Sequence, residues 1–184
     1  MKFTIILASV RSERQTDKLA KYLYNKLNTF ADVHLLDLQD KILPPFGYPH
    51  NELDKVKEIQ KLLQDSDGFI FVSPEYHQTY SAVLKNLTEY YWLEFNKKPI
   101  AVAATSAGKL GGVQASIQMQ SLVLALGSYP IPQRLLVPEI HSVFNTNSEV
   151  VNTEIEKNIK IFIEEFLDFS TALYNHKKRG SFVY

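Results

Sequence analysis

Short, continuously apolar runs alternate along the chain with longer stretches in which apolar residues recur every three or four positions. The first run, residues 3–8 (FTIILA), reads as a strand buried on both faces. From about 15 to 27, Leu19, Ala20, Leu23 and Leu27 mark one side of a helix. Residues 33–38 are a second short strand, and the stripe Leu53, Val56, Ile59, Leu62, Leu63 predicts a helix that stops near 65–68. A third strand at 69–73 leads into a helix at about 81–95, and a fourth at 100–105 into one at about 112–126. The fifth strand, 131–137, lies among Pro130, Pro132 and Pro138, which suits a sheet edge. A long amphipathic helix over 149–174 follows. The prolines of 44–49 (PPFGYP) exclude regular structure and predict a surface loop near any pocket.

Five strands alternating with five helices argue for a doubly wound parallel α/β sheet, with residues 1–176 as one domain and 177–184 as a loosely held tail. Right-handed crossovers place every strand-to-helix turn at one rim of such a sheet, where ligands bind. With 184 residues, 45% hydrophobic, the chain fits a single core. Lys+Arg and Asp+Glu are both 20, so no global basic field recruits nucleic acid and no acidic excess marks a docking electron carrier. The absence of Cys removes disulfides, thiolate nucleophiles and Cys-ligated metals, and fits a reducing compartment. The apolar run at 3–8 is too short for a secretory leader, and nothing approaches the roughly 20 apolar residues of a membrane span. A soluble cytoplasmic protein is expected.

Three turns carry the candidate chemistry. After the first strand come Ser9, Arg11, Arg14, Gln15 and Thr16, with hydroxyls, guanidinium forks and the free N–H groups of a helix start. That combination suits a monophosphate. Neither a P-loop nor GxGxxG is present; the alternative is a solvated helix start with Glu13 paired to an arginine. After the third strand, Pro74-Glu75-Tyr76-His77 offers backbone groups and a flat tyrosine face to a heteroaromatic ring. A lone loop His such as His77 reads as a hydrogen-bonded structural residue more often than as a proton donor, and Glu75 as facing solvent or an arginine rather than as a base. No metal-ligand spacing occurs. After the fourth strand, Ser106, Ala107, Gly108, Gly111 and Gly112 make a glycine-rich turn that admits close approach of a flat ligand.

Ser9-Val10-Arg11 with Arg14 and Thr16, Pro74-Glu75-Tyr76-His77 followed by Leu84-Lys85-Asn86, and Ser106-x-Gly108-x-x-Gly111-Gly112 stand in the order and spacing of a known family. The chain resembles the NAD(P)H-dependent FMN reductases, a flavodoxin-like group with quinone, chromate and azo-compound reductases; bacterial azobenzene reductase-like members share the His after Pro-Glu-Tyr. The resemblance covers about the first two-thirds of the chain and implies a three-layer sandwich with strand order 2-1-3-4-5. It implies that Ser9, Arg11, Arg14, Gln15 and Thr16 surround the FMN phosphate. Pro74, Glu75, Tyr76 and His77 would line the isoalloxazine, and Ser106, Ala107, Gly108 and Gly111 would close its other side. No catalytic acid or base and no metal is implied. Hydride would pass from NADPH or NADH through bound FMN to a quinone, azo compound, free flavin or metal oxyanion, in a homodimer or homotetramer. The rival reading is a flavodoxin-type electron carrier. Ala8, Gln78 and Ser81-Ala82 replace residues common in the family, and Gln78 is strained if its turn requires positive φ.

Overall fold

The computed structural model describes residues 1–49 and 51–178. Five parallel strands, β1 (Lys2–Leu7), β2 (Asp32–Asp37), β3 (Gly68–Pro74), β4 (Pro99–Thr105) and β5 (Tyr129–Val137), form one sheet in the order β2-β1-β3-β4-β5. The helices are α1 (Thr16–Leu27), α2 (Leu53–Asp65), α3 (Ala82–Tyr90), α4 (Trp92–Phe95), α5 (Val113–Ala125) and α6 (Thr153–Lys178).

The continuous apolar strands follow from burial on both sides. Phe3, Ile5, Leu7, Ile70 and Val72 pack with α1 and α6, while Ile6, Ala8, Phe69 and Phe71 pack with the helices of the opposite layer. Phe3 meets Phe166 of α6 with ring centroids 4.8 Å apart. Registers Leu7↔Asp37, Leu7↔Val72, Pro74↔Thr105 and Thr105↔Val137 align the strand ends, so all the turns after them share one rim. β5 is an edge strand, as its prolines require.

Most element ends fall within two residues of expectation, and three differ by more. The helix expected at 81–95 is interrupted at Tyr91, whose φ of −130° leaves the helical region. Its ring is buried and its hydroxyl donates to Val56 O at 3.0 Å, so tertiary packing overrides helical continuity. The last helix begins at Thr153, four residues later than expected. Asn145 Oδ1 accepts the N–H groups of Asn147 and Glu149 in a turn, and Asn152 Oδ1 caps the N–H groups of Glu154 and Ile155. The helix also continues through Lys178, so Lys177 and Lys178 of the expected tail extend α6; the remainder of that tail, 179–184, lies outside the described residues. Among the described residues no helix is long and apolar enough to cross a membrane.

Candidate functional site

The turn from β1 to α1 begins with Ser9, buried where the strand ends, whose hydroxyl has no partner among the described residues. α1 has no side-chain cap, and the N–H groups of Gln15, Thr16 and Asp17 meet no backbone acceptor among the described residues. Such an end carries partial positive charge and unsatisfied donors. Arg14 does not add its charge freely. Its guanidinium forms a two-pronged ion pair with Asp37 at the end of β2 and also donates to Ser9 O. With side-chain exposures of 11% and 17%, the pair braces the turn, and Arg14 has a protein partner where a phosphate was expected. Arg11 makes no ion pair among the described residues; it is exposed, 6.0 Å from the Tyr76 ring centroid. Thr16 bonds hydroxyl to hydroxyl with Thr105 at 2.9 Å, linking the start of α1 to the end of β4 across β3.

The turn after β3 is a two-residue hairpin. Tyr76 N donates to Thr79 O at 2.8 Å and Thr79 N to Tyr76 O at 3.0 Å. His77 and Gln78 between them have φ of 49° and 64°. Positive φ at both central residues defines a type I′ turn, normally occupied by Asn-Gly. Ser73 Oγ accepts Ser81 N at 3.0 Å and closes the loop base. The Glu75 carboxylate was expected to face solvent or an arginine. Instead Oε2 accepts Ala115 N, in the first turn of α5, at 2.9 Å. Burial raises the neighbouring Tyr80 hydroxyl above its ordinary value, so it stays neutral.

The turn after β4 is zipped to the segment after β5: Ser106 N donates to Val137 O, Glu139 N to Gly108 O and Ile140 N to Ser106 O. Gly111 (φ 64°) and Gly112 (φ 81°) are buried, and a Cβ on Gly112 would lie 2.8 Å from Ala104 Cβ. They serve close packing of the chain on itself. Gly108 has neither a positive φ nor a close neighbour, so its expected conformational role falls away.

These turns enclose a cleft of about 200 Å³. Ser9, Arg11, Arg14, Gln15, Thr16, Pro74, Glu75, Tyr76, Ser106 and Ala107 line it; His77, Gly108 and Gly111 do not. Thr105, Ile140 and His141 join it without having been anticipated. Ile140 and His141 come from a single 3-10 turn after β5, a segment without a motif of its own. The loop at 44–49 is absent from the lining; Asn86 of α3 accepts Phe46 N and donates to Leu43 O and Pro44 O, tying it down beside the helix.

The family model for NADPH-dependent FMN reductases matches residues 1–142. An NADPH azoreductase from Bacillus sp. (strain OY1-2) is 29% identical over 94% of this chain and 98% of its own length. An FMN-dependent NADPH-azoreductase from Staphylococcus aureus (strain USA300) is 24% identical over 97% of this chain and all of its own. Among solved structures, a flavoenzyme NAD(P)H:(acceptor) oxidoreductase from Paracoccus denitrificans superposes with a TM-score of 0.81 at 21% identity, covering 93% of this chain and 97% of that one. The family match spans all three turns of the cleft. This chain belongs to the NADPH-dependent FMN reductase family.

Proposed function

We propose that the cleft at the strand ends holds FMN, phosphate inward against the start of α1, and that the protein passes reducing equivalents from NADPH or NADH to a small-molecule acceptor. The observation that carries this is the buried Ser9 hydroxyl beside the uncapped helix start, without a partner among the described residues, with Arg11, which makes no ion pair among them, lining the same cleft. An anionic, acceptor-rich group is what those donors lack. FMN, when bound there, would supply the redox chemistry, a two-electron exchange between the nicotinamide and the second substrate.

The chain supplies orientation. Ser9 Oγ and the N–H groups of Gln15, Thr16 and Asp17 bind and orient the phosphate, while Arg11 contributes charge from the Tyr76 side. Arg14 holds the turn that presents them. Tyr76 of the 76–79 hairpin and Ser106-Ala107 line the cleft and would hold the ring, and the hairpin's free backbone N–H groups would be the donors available to stabilise negative charge on it. Azo compounds lead the acceptors to be tried, because the two relatives named above are azoreductases; quinones, free flavin and metal oxyanions follow.

The cleft is smaller than the roughly 300–1,000 Å³ that encloses a whole ligand of this kind. A second copy of the chain covering the ring would complete it. Tyr91 and Phe95 belong to the core, but Trp92 and Leu93 stay 60% and 65% exposed and suit such an interface. A cytoplasmic setting accords with the absence of Cys.

The test is a visible spectrum of purified protein, reconstituted with FMN and then treated anaerobically with NADPH. A flavin spectrum that bleaches is expected, and NADPH oxidation without a protein partner excludes the electron-carrier reading. No FMN binding after reconstitution refutes the proposal. A monomeric mass at micromolar concentration removes the second copy.

A further inference from the structure

The 76–79 hairpin holds two non-glycine residues at positive φ, a conformation that local sequence does not favour. What holds it there comes from α5. Thr79 Oγ1 donates to Gln118 Oε1 at 2.8 Å, and Gln118 Nε2 donates to Gln78 O at 3.1 Å, so one amide holds the two successive residues on the return side of the turn. At the hairpin's base, Glu75 Oε2 accepts Ala115 N at 2.9 Å. Ala115 and Gln118 lie three apart on α5, on neighbouring positions of the helix surface. α5 has no side-chain cap of its own, so Glu75 from the distant hairpin provides the acceptor at its first turn. That contact is charge-assisted; the Gln118 contacts are neutral and exposed.

We propose that Glu75 and Gln118 are positioning residues that clamp the hairpin onto α5, fixing the direction of its two central N–H groups. Those groups, on His77 and Gln78, have no backbone acceptor among the described residues and remain available to a ligand. The link to the flavin ring rests on the function proposed above; the clamp itself does not. Glu75 takes part through its carboxylate, by way of α5, and needs no contact with the reacting atoms.

Two measurements separate the parts. Amide hydrogen exchange in the 76–79 hairpin, read at the hydrogen-bonded N–H groups of Tyr76 and Thr79 in the FMN-free protein, reports on the clamp alone. Glu75→Ala speeds exchange there by about tenfold, as loss of a charge-assisted hydrogen bond implies, and Gln118→Ala by about threefold. Glu75→Gln keeps an acceptor for Ala115 N and restores most of the protection. FMN titration of the same variants, with the midpoint potential of the bound cofactor, reads the consequence. Affinity falls by about tenfold in Glu75→Ala, and recovers in Glu75→Gln with a potential shifted upward by removal of the negative charge. Unchanged exchange at 76–79 in both alanine variants overturns the clamp. Faster exchange with unaltered FMN affinity and potential overturns its bearing on the cofactor, leaving Glu75 as a cap for α5 alone. Failure of the unmutated protein to bind FMN refutes the function, while the exchange measurement still decides the clamp.

Discussion

Replacing Gln78 by glycine should stabilise the protein. Gln78 sits at φ 64° in the hairpin, and a side chain with a Cβ pays about 1–2 kcal/mol for the left-handed region. Glycine removes that penalty but loses more chain entropy on folding, about 0.5–1 kcal/mol. Nothing else of consequence is lost. The Gln78 side chain is exposed, and it is the backbone carbonyl that accepts from Gln118, a contact glycine retains. The balance is a gain of about 0.5–1 kcal/mol, which for a domain of this size raises Tm by about 1–4 °C. Urea unfolding followed by circular dichroism checks it, with the midpoint rising and the slope unchanged. Gln78→Ala is the control: it removes the same side chain, keeps the Cβ, and shows no comparable gain. A Gln78→Gly midpoint at or below the parent value, or an equal gain in Gln78→Ala, would refute the strain argument.

Gly112→Ala should do the opposite, losing about 2–4 kcal/mol by the same denaturation assay, because φ of 81° and a 2.8 Å approach to Ala104 act together. Arg14→Ala strands the Asp37 carboxylate and lowers stability by about 2–4 kcal/mol; a double-mutant cycle with Asp37→Ala recovers part of the loss, and strict additivity would deny the coupling. Lys98 gives a pH signature. Burial foremost, then the Lys177 charge, lowers its pKa from 10.5 to about 8, while its Nζ donates to Leu63 O and Gln64 O at the end of α2. Between those values the unfolded chain binds the proton that the folded one has released, so this residue makes stability rise from pH 8 towards 10.5. Lys98→Met flattens that rise in unfolding free energies measured across the interval.

The fold was legible because both of its signals are physical necessities. Strands buried on two faces must be apolar throughout, as in residues 3–8, and each helix needs one stripe for one side of the sheet. Strand order was not written in that periodicity; it came with the family resemblance. Where reading failed, interactions distant in sequence decided. The break at Tyr91 depends on Val56, 35 residues away, and the commitment of Arg14 depends on Asp37. Gly111 and Gly112 looked like ligand contacts, yet they answer to Leu136, Pro138 and Ala104, which local sequence does not place beside them. The delayed start of α6 is the exception. Asn152 is a cap legible in the sequence itself, standing three residues before Ile155, the first apolar position of the stripe.

Zero net charge and an anion site are compatible once each charge near the cleft is assigned a partner. Asp37 neutralises Arg14, and the first turn of α5 engages Glu75. Glu13 is exposed at the mouth, where water and salt screen it. What remains at the cleft is the partial positive charge at the start of α1, the buried Ser9 hydroxyl and the exposed Arg11, which makes no ion pair among the described residues. Internal pairing therefore produces a local positive site without a positive molecule. It also assigns unequal work to the two arginines. In the proposed function Arg14 would act on binding through the shape of the turn and so through stability, whereas Arg11, exposed and with little packing to lose, would act through its charge. Total charge bears on partners that sense the whole surface, while a small anion in a cleft responds to the few groups left without a counterion.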